Sequence, residues 1–77
     1  MKLYFLNSRN EEVYVGEPTS RQEVGKMIDE FVLSKNPTYK IHYMRMWRTQ
    51  ENHIKFDVGS WSEFFILKDV PKELYGM

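Results

Sequence analysis

The side chains able to do chemistry in this chain gather in its second half. His42 and His53 fall on neighbouring predicted strands, where they would face each other across a short turn with Asp57 as the best third ligand for a metal ion. No established ligand spacing accompanies them, and two exposed strand histidines account for the same residues. Ser60, His53 and Asp57 are the residue types of a nucleophile, a base and an orienting acid. The nucleophile-elbow pattern that would lift such a serine out of a strand-to-helix turn is absent, and so short a chain has little room for a deep, water-excluding pocket. Gly16, Gly25, Gly59 and Gly76 are scattered, whereas a phosphate-binding loop needs closely spaced glycines leading into a helix. The expectation is a protein that is not an enzyme, with no catalytic residue, no cofactor and no metal.

Two other groupings carry a binding signal. Lys40, His42, Tyr43, Arg45, Trp47 and Arg48 combine cations with flat rings, the pairing with which single-stranded nucleic-acid binders hold phosphates and stack bases. In a small sheet protein the same rings also serve as core and the same cations as solvated surface. The run Asp57-Val58-Gly59-Ser60-Trp61-Ser62-Glu63 reads as a tight turn in which Gly59 supplies backbone freedom, Asp57 and Ser60 bond nearby amides, and Trp61 stands at the tip. A large ring at a loop tip wastes apolar surface unless it folds back or inserts into a partner, and tryptophan is a common anchor of binding interfaces. The candidate contact residues are Arg45, Trp47, Arg48 and Trp61, with Glu63 as a rim charge.

Composition narrows the partner. The chain has 77 residues, 11 Lys and Arg against 11 Asp and Glu, and no cysteine. That size permits one small domain, 1–77, whose core leaves a net stability of only about 3–5 kcal/mol. Without cysteine there is no disulfide framework or thiolate metal site, and the cytoplasm is the expected compartment. No basic stretch followed by an apolar run opens the sequence, and no run of apolar residues is long enough to span a bilayer, so neither a signal peptide nor a membrane partner is expected. Charge is unevenly spread: five cations and six acids over 1–37, four cations and one acid over 38–56, two cations and four acids over 57–77. The central patch is mildly basic. Phosphate-driven nucleic-acid binding normally rests on a far stronger excess.

The elements that must position these residues follow from periodicity. Lys2 to Leu6 is a short apolar run, Asn7 to Asn10 are turn formers, and Val13 to Val15 completes a hairpin closed by Gly16 and Pro18. Val24, Met27, Ile28, Phe31 and Val32 recur with helical spacing, Ser20 and Glu23 form a capping box, and Asn36-Pro37 stops the element, which predicts a helix over about 20–35. Tyr39 to Trp47 is rich in strand formers but changes parity between Tyr43 and Met44, which predicts a bulge or burial on both sides. Thr49 to Asn52 reads as a turn, Ile54, Phe56 and Val58 alternate as a half-buried strand, Gly59-Ser60 connects, and Glu63 to Lys68 is the last strand. Residues 70–77 form a tail in which Pro71 can open one helical turn. The expected fold is α+β in ββαβββ order, an antiparallel sheet of about five strands with one helix on one face.

One helix covers one face. The first, third and last strands nevertheless carry apolar side chains on both parities, with Tyr4 and Leu6 opposing Leu3 and Phe5, and Phe64 and Ile66 opposing Phe65 and Leu67. Leaving a second aromatic face in water forfeits about 1.5–3 kcal/mol per large side chain, so a cover is expected: a second copy in a homodimer, the tail around Leu74 and Tyr75, or another protein.

The segments Met1-Lys2-Leu3-Tyr4-Phe5-Leu6-Asn7-Ser8, Arg45-Met46-Trp47 and Asp57-Val58-Gly59-Ser60-Trp61-Ser62-Glu63-Phe64-Phe65 resemble a group of short accessory proteins from phages and prophages of low-GC Gram-positive bacteria. Those proteins share an Asp-Val-Gly-Ser-x-x-Glu-Phe-Phe ending; Trp61-Ser62 stands here where they carry His-Thr, so no role of that histidine transfers. The resemblance spans residues 1–67 in layout and about a dozen positions closely. It implies a setting: small phage proteins commonly bind and block a host protein, including CRISPR nucleases and other defence enzymes. The expected function is inhibition by protein–protein contact with a host or phage protein. Single-stranded nucleic-acid binding through Lys40, Tyr43, Arg45, Trp47 and Arg48 is the alternative, and a subunit of a phage assembly the third.

Overall fold

A computed structural model describes residues 1–39, 41, 44–50, 52–59 and 63–75. The order is β1 (Lys2–Leu6), β2 (Glu12–Gly16), α1 (Arg21–Lys35), β3 (Arg45–Gln50), β4 (His53–Asp57), β5 (Phe64–Lys68) and α2 (Lys72–Tyr75). The strands form one sheet in the order β2-β1-β5-β4-β3, every neighbouring pair antiparallel. This is the expected α+β fold in ββαβββ order.

Local chemistry explains the boundaries. The first hairpin turns around Asn7, whose Oδ1 accepts from the amides of Arg9 at 2.9 Å and Glu11 at 3.0 Å, while Asn10 takes a left-handed φ of 62°. Ser20 caps α1 by accepting from the Glu23 amide at 3.2 Å. The reciprocal half of the capping box lands one residue earlier than the motif specifies: the Glu23 carboxylate accepts from the Thr19 amide at 2.8 Å and its hydroxyl at 3.2 Å. Asn36 ends the helix, its amide bonding the Val32 carbonyl.

The third strand departs from expectation. It begins at Arg45 and runs through Gln50, whereas Tyr39, Ile41 and Met44 lie outside any strand. The reason is tertiary. After α1 the chain must cross to the far edge of the sheet, and the Tyr39 hydroxyl donates to the Val58 carbonyl at 2.9 Å on the way, with Ile41 and Met44 packed on the core. Thr49 and Gln50 stay in the strand, Gln50 pairing with His53, and Asn52 before β4 takes φ 71°. The parity change expected between Tyr43 and Met44 reaches outside the described residues, which do not include Tyr43; within β3 a register shift falls between Arg48 and Gln50.

The core fills one side of the sheet. Leu3, Phe5, Phe65, Leu67 and Phe56 point at Val24 and Ile28 of α1, and Val58 and Val70 close the ends. Phe31 ties the layers together, with ring centroids 4.9 Å from Phe5 and 5.7 Å from Phe65, which themselves lie 5.3 Å apart. The tail enters this inner core through Val70, whose amide also donates to the Asn52 carbonyl at 3.0 Å, while the side chains of Leu74 and Tyr75, expected as one possible cover for the second face, lie outside what the structure describes.

Phe65 sits at the centre of that ring cluster and is 1% exposed. Phe65→Ala is expected to cost about 3–5 kcal/mol, close to the whole margin of so small a domain, so its urea transition should be largely lost. Ile66→Thr, one residue on and facing outward, should shift the midpoint far less.

Candidate protein-interaction face

Alternation and register together assemble the outer face of the sheet. Opposite the core side chains, β1 presents Lys2, Tyr4 and Leu6, β5 presents Phe64, Ile66 and Lys68, and β4 presents His53, Lys55 and Asp57. The Cα partners Tyr14↔Tyr4, Tyr4↔Ile66, Ile66↔Lys55 and Lys55↔Trp47 lay one row of side chains across all five strands. Its inner members are half-buried and its two ends stand out, Tyr14 at 53% exposed and Trp47 at 42%. Tyr4 and Tyr14 meet edge to face at 5.7 Å.

Lysines roof the middle of this face. Lys55 Nζ lies 4.3 Å from the Phe64 ring centroid and Lys68 Nζ lies 4.9 Å from that of Tyr4. Long aliphatic stems cover ring surface while the ammonium stays in water, which lowers the cost of exposing aromatic residues. Lys68 also holds Glu12 at 2.8 Å.

At the neighbouring corner, Arg45 and Asp57 are cross-strand partners joined at 2.9 Å. Asp57 is 6% exposed, and its second oxygen accepts from the Gly59 amide at 2.9 Å. The Arg45 guanidinium, with help from that amide, holds the Asp57 carboxyl below its ordinary value of 3.8. Gly59 has φ 90°, a conformation that favours glycine, so the turn after β4 and the carboxylate lock are one unit. The residue singled out as a metal ligand or triad acid is thus engaged in a structural pair.

The proposed contact residues divide between the faces. Arg45 and Trp47 share the outer face; Arg48, paired with Ile54, and Met46, paired with Phe56, lie on the parity of the core. Glu63 belongs to the inner side as well: it lies 3.7 Å from Lys35 of α1, and both line a cavity of about 340 Å³ with Phe5, Phe31, Tyr39 and Val58. Lys35 Nζ also rests 4.2 Å from the Phe5 ring centroid. Trp61 lies outside the described residues, as do Lys40, His42, Tyr43 and Ser60. Tyr14, Tyr4, Lys55, Phe64 and Lys68 complete the face and were not singled out from sequence as contact residues. Parity exposes β1 and β5, but only strand order brings Tyr14 and Trp47 into one row.

Among the described residues no group of three or more His, Asp or Glu is placed to hold a metal ion, and no helix is long and apolar enough to cross a membrane. No family, curated protein or solved structure matches this chain.

The Asp57 lock has a pH signature. A carboxyl held below its unfolded value contributes stability that is complete above about pH 5 and is lost as pH falls below the ordinary value and through the depressed native one. Urea midpoints between about pH 6 and about pH 2 should therefore fall less steeply for Asp57→Asn, which starts from a lower plateau, than for the natural chain.

Proposed function

We propose that this protein acts by stoichiometric contact with another protein, using the outer sheet face as its docking surface, and that in a phage or prophage setting the contact inhibits a host factor such as a CRISPR nuclease or other defence enzyme. The setting rests on the resemblance of residues 1–8, 45–47 and 57–65 to small phage accessory proteins. The docking surface rests on one observation: α1 packs on the opposite face, while a row from Tyr14 to Trp47 crosses all five strands with both end rings in solvent.

That arrangement suits binding. Tryptophan, tyrosine and arginine are the side chains that most often dominate interface energies, and here Trp47, Tyr14 and Arg45 stand on a rigid sheet, so little ordering is needed on association. Catalysis has no comparable support, since Asp57 is committed to Arg45 and Gly59. A second copy of the chain is the competing occupant, and native mass separates the two.

Trp47→Ala is expected to weaken a partner captured from a lysate of a low-GC Gram-positive host by about 2 kcal/mol or more, about thirtyfold in Kd, with the urea midpoint little changed because the ring is at an edge strand. A folded variant with the partner's affinity unaltered refutes the docking surface.

A further inference from the structure

We infer that the partner surface seated on the outer face is acidic: a protein segment rich in Asp and Glu, with an apolar side chain meeting Trp47 or Tyr14. This rests on the reading of the outer face as the docking surface and adds the chemistry of what docks there.

The charge layout carries it. Lys2 and Lys68 are direct cross-strand partners on β1 and β5, and like charges facing each other across a sheet destabilise it. Lys55 stands one row away, paired with Ile66. Among the described side chains of this face, Lys2, Lys55, Lys68 and Arg45 face the carboxylates of Glu12 and Asp57, each matched within the chain to Lys68 and Arg45, and a third, Glu17, lies at the Tyr14 end, where it accepts from the Tyr14 hydroxyl at 3.0 Å. The ion pairs of this face take up Lys68 and Arg45, so a protein of zero formal charge presents Lys2 and Lys55 as surplus cations in the middle of the sheet surface opposite α1, with the Glu17 carboxylate away at the Tyr14 end. The cation–π contact under Lys55 holds its ammonium group in place before any partner arrives, which lowers the ordering cost of pairing it with a carboxylate, and Lys68 is held by the Tyr4 ring and by Glu12. Tyr14 and Trp47 flank the lysines four strand spacings apart, roughly 19 Å. That span accommodates a short extended segment with acids between two apolar anchors.

The other occupants fit less well. A second copy meeting this face through a two-fold axis would set one cation-bearing surface against an identical one, with no added carboxylates to match Lys2 and Lys55. Single-stranded nucleic acid needs bare rings for its bases, yet Tyr4 and Phe64 already lie against ammonium groups, and so few surplus cations are little beside a phosphate backbone.

The test titrates the full chain with a random Glu–Tyr copolymer, with oligo(dT) in parallel, following backbone amide shifts. The copolymer should move amides of β1, β4 and β5. Its affinity should fall about tenfold or more between about 50 and about 300 mM salt, and by a similar factor in a Lys2→Glu/Lys55→Glu variant whose urea midpoint shows it folded. No copolymer binding, undiminished binding by the charge-reversed variant, or tighter binding of oligo(dT) overturns the inference. The same variant in host-lysate capture separates the two levels: a partner retained after charge reversal but lost with Trp47→Ala removes the acidic partner and leaves the docking face standing, whereas a partner retained by both removes both.

Discussion

A single helix of fifteen residues is about 22 Å long and about 10 Å wide, and it cannot shelter both sides of a sheet whose five strands span roughly 19 Å between outer axes. Everything else in this molecule answers to that mismatch. The helix settles where aromatic mass is greatest, on Phe5 and Phe65 of the central pair β1 and β5, with Phe31 wedged between them. Coverage thins toward both edges, which is why Val13 and Met46, on the parity of the core, are 44% and 50% exposed. The inner layer holds the domain together; the outer layer had to be made tolerable in water by other means.

Lysine stems are the means. Lys55 and Lys68 lie over Phe64 and Tyr4, and Glu12 neutralises one of them at 2.8 Å. A hydrocarbon stem with a hydrated head is a partial cover that leaves the sheet accessible, in contrast to a packed helix. The stems thereby reduce the apolar area this face presents to water while leaving its edge rings and cations accessible. The Arg45–Asp57–Gly59 arrangement closes one corner of this face by tying the edge strand to the turn that follows β4.

The two sheet edges are treated differently from the outer face. β2 carries a register shift opposite Leu3 and Tyr4 and runs out at Gly16 before Pro18; β3 carries a shift between Arg48 and Gln50 and two arginines. Bulges, prolines and cations on edge strands oppose pairing with another strand. Both edges are thus blunted against strand addition, in contrast to the ring-bearing surface between them.

How much of this was legible before any coordinates follows from the range of the forces involved. Strand parity, the helical repeat from Val24 to Val32, the Ser20 cap and the Asn7 turn depend on residues within a few positions of each other, and so the element order, the inner core and the doubly apolar character of β1 and β5 are written in the sequence itself. The start of β3 was not, because Tyr39 is drawn off the strand path by a hydrogen bond to Val58, nineteen positions away. Nor was the face. Arg48 and Glu63 share a composition with Arg45 and Trp47 but point to the helix side, and Tyr14 joins Trp47 only because β1 and β5 pair in the middle of the sheet. Local order is set by near neighbours along the chain; which side chains meet across a sheet is set by strand pairing between distant segments, and that only the tertiary structure decided.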